Sequence, residues 1–335
     1  MKISMSSNSN PQLKYKNTYN LLWLLEHFTS IKSLEQRRLN ISTKIASKIV
    51  LNENERFTNV NVETNVTAKD FHKRYFKNPQ PVVFKGAAKE WPAFNKWSPN
   101  FFKNNYGETK VILFDASVKG LESNKISETS LVNFKEFIEM MQAGSKEYVR
   151  FCPILDKNPE LLKDIDNDWL LNFSNSKPKG SKHQLFIGGE NTSTSIHSAV
   201  GSNLFVQIHG RKEWFIYDTY YNQLLQPKVD NSIFFRSGVS SKKPDEIFKK
   251  AKGWHVILEP GDILYNPPFF WHEVHNLDTT VGFGYRWFSF NEIIKSSIIK
   301  FILTLTATNP SIRKAKKLEE NFAKVYDQVL SKKLK

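Results

Sequence analysis

The stretch EPGDILYNPPFFWHEVHNL, Glu259 to Leu277, carries the pattern that decides the fold. Pro260, Gly261 and Asp262 form a turn signal, and Ile263 to Tyr265 read as a short strand. Two prolines and three aromatics then lead into His272 at the start of another strand, which sets this histidine behind an aromatic wall. Outward from here the same texture recurs from His183 to Phe290. HQLFIGG, NLFVQIHG, KEWFIYD, HVILEPGDILYNPP, EVHNL and TVGFGYRWFSF are β-type runs separated by Gly, Pro, Asn and Asp. Closely spaced antiparallel strands of this kind predict a mainly β, double-sheet jelly-roll barrel, which closes its own edges and leaves a mouth for a ligand.

The flanks read differently. Residues 1 to about 60 are polar and poor in glycine, with an apolar helical patch from Leu21 to Phe28 and a helix near Ile31 to Ile49, so a helical N-terminal extension, residues 1–80, is expected. The barrel domain, residues 81–290, opens with PVVFKGAAKEWPAF, where Val82, Val83 and Phe84 make a strand ended by Gly86. SPNFFKNNYG predicts a capped helix ending at Gly107, KVILFDAS a strand, SLVNFKEFIEMMQAG an amphipathic helix ending at Gly144, and EYVRFCPIL another strand. Residues 291–335 turn helical again. NEIIKSSIIKFILTLTA is apolar enough to need burial, either on its own barrel or in a homodimer formed through these C-terminal helices. SIRKAKKLEENFAKVYDQVLSKKL is charged enough to be a surface or docking helix.

The 335 residues, 40% hydrophobic and 13% aromatic, supply ample material for a core. One cysteine, Cys152, permits no intramolecular disulfide and fits a reducing cytoplasm. The start MKISMSSNSNPQLKYKN has no long apolar stretch, and NLLWLL and SSIIKFILTLTAT are too short and too polar to span a bilayer, so a cytoplasmic chain without a membrane partner is expected. The net charge of +15 invites a nucleic-acid reading. The pattern argues against it, because arginine is scarce, lysine is spread beside many asparagines, and no helix-turn-helix, zinc-finger or RNP-type motif is present. What remains is a positive field able to steer an anionic substrate.

A strand histidine alone is more often structural than a ligand. The combination of His272 with His197, in NTSTSIHSAVGSN, changes that reading. PVVFKGAAKEWPAF, LFIGGENTSTSIHSAVGSNLFVQIHGRKEWFIYD and EPGDILYNPPFFWHEVHNL together resemble the Jumonji-C, cupin-like family of non-haem Fe(II)- and 2-oxoglutarate-dependent oxygenases, closest to its asparaginyl-hydroxylase-like branch, from about Pro81 to Phe290. The resemblance implies a double-stranded β-helix barrel that uses Fe(II), 2-oxoglutarate and O2. It makes His197 and His272 iron ligands and Lys212, fifteen residues after His197, the partner of the distal carboxylate of 2-oxoglutarate. Thr194 and Tyr148 fall where hydroxyls reach the same cosubstrate, Asn203 matches an active-site asparagine, and Ser195, Arg286 and Trp287 are implied pocket residues. These roles are chemically sensible, since neutral imidazole suits Fe(II) and a dianion needs a cation and hydroxyl donors. Taken alone, Lys212 reads as a solvated strand lysine. His275 is expected on the opposite side of the strand from His272, His209 as a turn residue, Trp254 and His255 as strand residues, and Phe269, Phe270 and Trp271 as core.

One element of the family pattern is missing. The pattern is His-x-Asp or His-x-Glu, because residues i and i+2 of a strand share a side and can hold one metal together. Here the motif is His197-Ser198-Ala199, and a methyl group ligates nothing. Ser198 points to the wrong face of a regular strand, and Glu190 or Glu273 would need a different backbone path to substitute. Three readings follow. In the first, which resembles the 2-oxoglutarate-dependent radical halogenases with Ala or Gly at this position, chloride takes the ligand position left by Ala199 and Ser193, Thr194 and Ser195 help to hold it. In the second, water or another group fills the position and the enzyme hydroxylates. In the third, the iron site is lost and the barrel is a binding module. The substrate in the first two is a peptide or small molecule.

Overall fold

The computed structural model describes residues 11–115, 131–175, 183–309, 311–314 and 322–333. Their strands, in chain order, are β1 Phe57–Asn59, β2 Asn61–Glu63, β3 Val82–Phe84, β4 Lys110–Val111, β5 Leu113–Asp115, β6 Val132–Asn133, β7 Glu147–Cys152 and β8 His183–Gly188. They continue with β9 Ser193–Ser198, β10 Ser202–His209, β11 Lys212–Tyr217, β12 Phe235–Arg236, β13 Gly253–Leu258, β14 Ile263–Asn266, β15 Trp271–Asn276 and β16 Thr280–Trp287. One sheet has the order β1-β13-β11-β15-β9-β12 and the other β2-β3-β14-β10-β16-β8-β7-β5, while β4 and β6 form a separate pair.

The two sheets face each other as a jelly roll, and strand alternation decides what each side chain meets. Phe205 from β10 and Phe186 from β8 meet Trp214 and Ile216 from β11 and Val274 from β15 in the interior. Leu204, Val206, Phe283 and Tyr285 turn the other way and pack under the helices Pro99–Tyr106 and Phe134–Gln142. Phe215, Tyr217 and Trp271 leave the outer face of the six-stranded sheet and meet Tyr19 and Trp23 of the helix Pro11–Thr29 and Leu303 of the helix Ile298–Leu305. The N-terminal helix pair is locked on by buried Arg38, which donates to Glu26, the Tyr19 hydroxyl and the Pro227 carbonyl. No helix among the described residues is long and apolar enough to cross a membrane.

Several elements differ from the sequence expectation. Residues 57–63, inside the expected helical extension, supply one strand to each sheet: β1 runs parallel to β13 and β2 parallel to β3. Burial drives this, because Phe57 packs 5.1 Å from the ring of Phe215 and Val60 enters the barrel interior. KVILFDAS splits at Ile112, whose N–H donates to the Tyr326 hydroxyl, so β4 and β5 join different sheets; Ala116 and Ser117 lie outside the described residues. NEIIKSSIIKFILTLTA forms two helices, Phe290–Ser296 and Ile298–Leu305. Ser297 between them is extended and caps the second by accepting from the Lys300 N–H. Of the charged C-terminal stretch, Phe322–Lys333 is helical and residues 315–321 lie outside the described set.

Candidate active site

β9 and β15 lie side by side and antiparallel, with His197 directly opposite His272. Directly opposite residues share a face, and the two imidazoles meet inside the barrel with ring centroids 4.1 Å apart. The register then slips: Val274, two residues after His272, stands opposite Thr194, three residues before His197. This bulge puts Thr194 on the same interior side as His197, which the odd spacing in a regular strand forbids.

Each imidazole is oriented through its Nδ1. That of His197 sits 2.9 Å from the Ser195 carbonyl, and that of His272 sits 3.1 Å from the Phe270 carbonyl and 3.2 Å from the Asn266 amide. A carbonyl can only accept, so Nδ1 carries the proton in both rings and Nε2 keeps its lone pair. No partner holds either Nε2 among the described residues. Burial is the main cause that holds His197 down to about 4; the bond to Ser195 opposes it, and the charges of Arg286 and Arg150 add to it. Burial and the proximity of His197 push His272 well below the ordinary imidazole range. Two neutral imidazoles with oriented Nδ1–H groups and exposed Nε2 lone pairs are the donor set a divalent transition metal takes.

The third ligand is absent. Ala199 follows β9, and its carbonyl accepts the Phe269 N–H at 2.7 Å. Glu273 points to the outer side of β15, tied to Ser240, Ser241 and His275, and Glu190 lies at the exposed turn before β9 beside Asn191. Among the described residues no cluster of three His, Cys, Asp or Glu is arranged to hold a metal ion. The side chains present therefore fit iron as two ligands, with the remaining positions open to non-protein ligands.

The residues expected to meet the cosubstrate lie close together. Lys212 is fully buried, its ammonium 3.0 Å from the Tyr148 hydroxyl and 4.6 Å from the centroid of Phe205. Among the described residues no carboxylate pairs with it. A buried ammonium among rings is expensive unless an anion joins it, so the surroundings of Lys212 are chemically suited to a carboxylate. Gly188 makes room, since a Cβ there would stand 2.5 Å from the Asn276 amide and 2.7 Å from the Tyr148 ring. Asn203 also faces inward, opposite Asn266 on one side and Arg286 on the other, and its buried Oδ1 has no partner.

Of the residues singled out from the sequence, the barrel brings together His197, His272, Thr194, Lys212, Tyr148, Asn203 and Arg286. Ser195 contributes its carbonyl, to His197. Trp287 is not among them. It alternates to the outer side of β16, where it stacks against Tyr265 at 6.1 Å and donates to Glu292. Adjacent strand residues cannot both face inward, and Arg286 holds the inward position. Sequence reading missed Trp214, whose ring stacks on His272 at 5.5 Å and whose buried Nε1 has no partner, and buried Arg150, which donates to the Ser193 carbonyl. Trp214 lies two residues after Lys212, and that alternation was the available signal. His275 and His255 turn outward to Glu273 and Glu213.

Residues 68–292 match the cupin-like domain. The chain belongs to the cupin-like domain family. Among the relatives of this cupin-like chain, JmjC domain-containing protein D of Dictyostelium discoideum is 26% identical over 238 residues, covering 62% of this chain and 51% of that protein. Lysine-specific demethylase JMJ30 of Arabidopsis thaliana is 26% identical over 238 residues, covering 68% and 54%. Lysine-specific demethylase 8 of Xenopus tropicalis is 23% identical over 224 residues, covering 65% and 50%. The chain spans about half the length of these relatives. The match and the JmjC relatives agree with the JmjC/cupin family of Fe(II)- and 2-oxoglutarate-dependent oxygenases, whose members use O2 as well. None of the three relatives is named for halogenation or chloride.

Proposed function

We propose that this cupin-like protein is a 2-oxoglutarate-dependent oxidative enzyme that holds Fe(II) through His197 and His272 alone and halogenates an aliphatic C–H of an amino acid, peptide or small molecule. The observation that carries it is the facing pair of neutral imidazoles beside Ala199, supported by the buried Lys212 bonded to Tyr148 in the same barrel. Iron with 2-oxoglutarate and O2 supplies the oxidation of an unactivated C–H bond, with succinate and carbon dioxide as co-products.

The side chains do the rest. Lys212 and Tyr148 hold the distal carboxylate, and Thr194 and Asn203 offer a hydroxyl and an amide to the cosubstrate or substrate. Trp214 buttresses His272 and presents its N–H to an anion. Arg286 and Arg150 keep the interior positive, so a chloride in the ligand position left by Ala199 gains charge balance as well as the hydroxyls of Thr194 and Ser195; Ser193, opposite outward-facing His275, is turned away from it.

The names of the relatives support a second reading. JMJ30 and lysine-specific demethylase 8 are named as demethylases, so hydroxylation of a methylated protein side chain is the alternative outcome. Anaerobic addition of Fe(II) and 2-oxoglutarate, followed by chloride, separates the readings. A visible charge-transfer band that shifts with chloride supports the halide position, and a band indifferent to chloride supports hydroxylation. Absence of a band at saturating iron leaves a binding module.

Two coarser features belong with this reading. A single buried thiol suits a reducing cytoplasm. Exposed Leu21, Phe28, Phe290, Ile294 and Ile298, carried on helices at one side of the barrel, suit a homodimer through the terminal helices, checked by light scattering.

A further inference from the structure

Lys300 lies in the helix Ile298–Leu305, outside the barrel, yet it has no accessible surface. Its ammonium donates to Ser198 Oγ at 2.8 Å and to the Phe269 carbonyl at 2.8 Å, and sits 3.8 Å from the centroid of the Trp271 ring. Among the described residues no carboxylate lies within ion-pair contact of it, and the charge of Asp218 acts on it only from farther off. A buried cation in such a place is destabilising unless its hydrogen bonds and aromatic faces compensate, so its partners indicate what it is for.

Those partners flank both histidines. Ser198 directly follows His197, and Ser198 Oγ itself donates to the Phe269 carbonyl at 2.8 Å. Phe269 lies three residues before His272 and has φ +62, a left-handed backbone that a bulky residue adopts only when its surroundings impose it. Its N–H donates to the Ala199 carbonyl at 2.7 Å. The segment leaving His197 and the strained turn entering His272 are thus tied at one point, from the outer side of the sheet, by a residue of the C-terminal helix.

We propose that Lys300 is a positioning residue for the metal site: by holding Ser198 to the Phe269 carbonyl it fixes the separation and tilt of the His197 and His272 rings. This rests on the reading of the pair as a metal site. A methionine in place of Lys300 fills the same volume without the charge, leaves Phe269 one bond poorer, and lets the turn relax.

The test is anaerobic Co(II) titration of the full-length protein, read by calorimetry and by the cobalt d–d bands, so that no turnover is needed. Lys300→Met is expected to weaken Co(II) binding by about 10–100-fold, the range typical of groups that orient metal ligands, and to shift the d–d bands. Thr304→Val, which removes a buried hydroxyl bond to the Lys300 carbonyl on the same helix, is expected to lower Tm while leaving Co(II) affinity unchanged. Ser198→Ala is expected to weaken binding in the same direction, and the double variant to bind no worse than Lys300→Met alone, because the two act as one unit. If Lys300→Met does not fold, Ser198→Ala alone decides. Wild-type Co(II) affinity in whichever variant decides overturns the proposal. Wild-type protein that takes up no cobalt removes the metal-site reading and this inference with it.

Discussion

The rings of His197 and His272 face each other at 4.1 Å between centroids, each with its Nδ1 turned to the backbone carbonyl two residues earlier in the chain, Ser195 and Phe270. On the proposed reading the two imidazoles bind the metal as a pair. His197→Ala and His272→Ala are each expected to abolish stoichiometric Fe(II) or Co(II) uptake while leaving the far-ultraviolet circular dichroism unchanged. Retention of one equivalent of metal in either variant would show that the site lies elsewhere.

Lys212 and Tyr148 make a separable prediction, because Lys212 on β11 stands opposite Asn276, four residues along β15 from His272. Lys212→Met is expected to leave metal uptake intact and to weaken 2-oxoglutarate by roughly tenfold to a hundredfold, the loss of a buried charge-assisted bond worth about 1.5–3 kcal/mol. Equilibrium binding of 2-oxoglutarate to the Co(II)-loaded protein measures it. Equal affinity in the variant and the wild type would mean that another cation takes the carboxylate.

Ala199→Asp restores a carboxylate two residues after His197, just past the end of β9. Tighter iron binding and loss of any chloride response are expected, with product analysis by mass spectrometry shifting from halogenation to hydroxylation. Undiminished halogenation in this variant would refute halide binding at the position Ala199 leaves open.

Acid should destabilise the metal-free protein in a defined window. His197 is held down to about 4 by burial, against 6.5 for an ordinary imidazole, so between those values the unfolded chain binds more protons than the folded one. The stabilising contribution is complete above pH 6.5 and is lost as pH falls towards 4. Urea unfolding midpoints in chelator are expected to fall across that interval, and His197→Gln to flatten the slope.

Burial pushes the Cys152 thiol up to about 12, so almost no thiolate exists at pH 8. A disulfide-exchange reagent is expected to leave the native protein unmodified and to titrate one thiol in denaturant. Rapid reaction of the native protein would contradict the packing of Cys152 beneath the C-terminal helix.

The spacing of short β-runs and the turn at Pro260 to Asp262 made the barrel legible, because each strand's pattern is local. The motifs carrying His197, Lys212 and His272 were legible for the same reason. Strand parity was not. Arg286 and Trp287 are neighbours in sequence, and only the pairing of β16 with β10, Arg286 opposite Asn203, decides which of them enters the barrel. The short strands at 57–63 were hidden as well, since three-residue strands form only where an edge of another sheet receives them.

The sequence by itself determined the jelly roll, the two histidines, the buried lysine's place two residues before a tryptophan, and the absence of a carboxylate at Ala199. Tertiary structure decided the rest: the bulge that turns Thr194 inward, the orphaned indole of Trp214, and the reach of Lys300 from the last helices to the back of the site. The physical reason is range. Alternation and turn chemistry act over a few residues, whereas the register between strands and the burial of a charge depend on chain segments about a hundred residues apart meeting in one place.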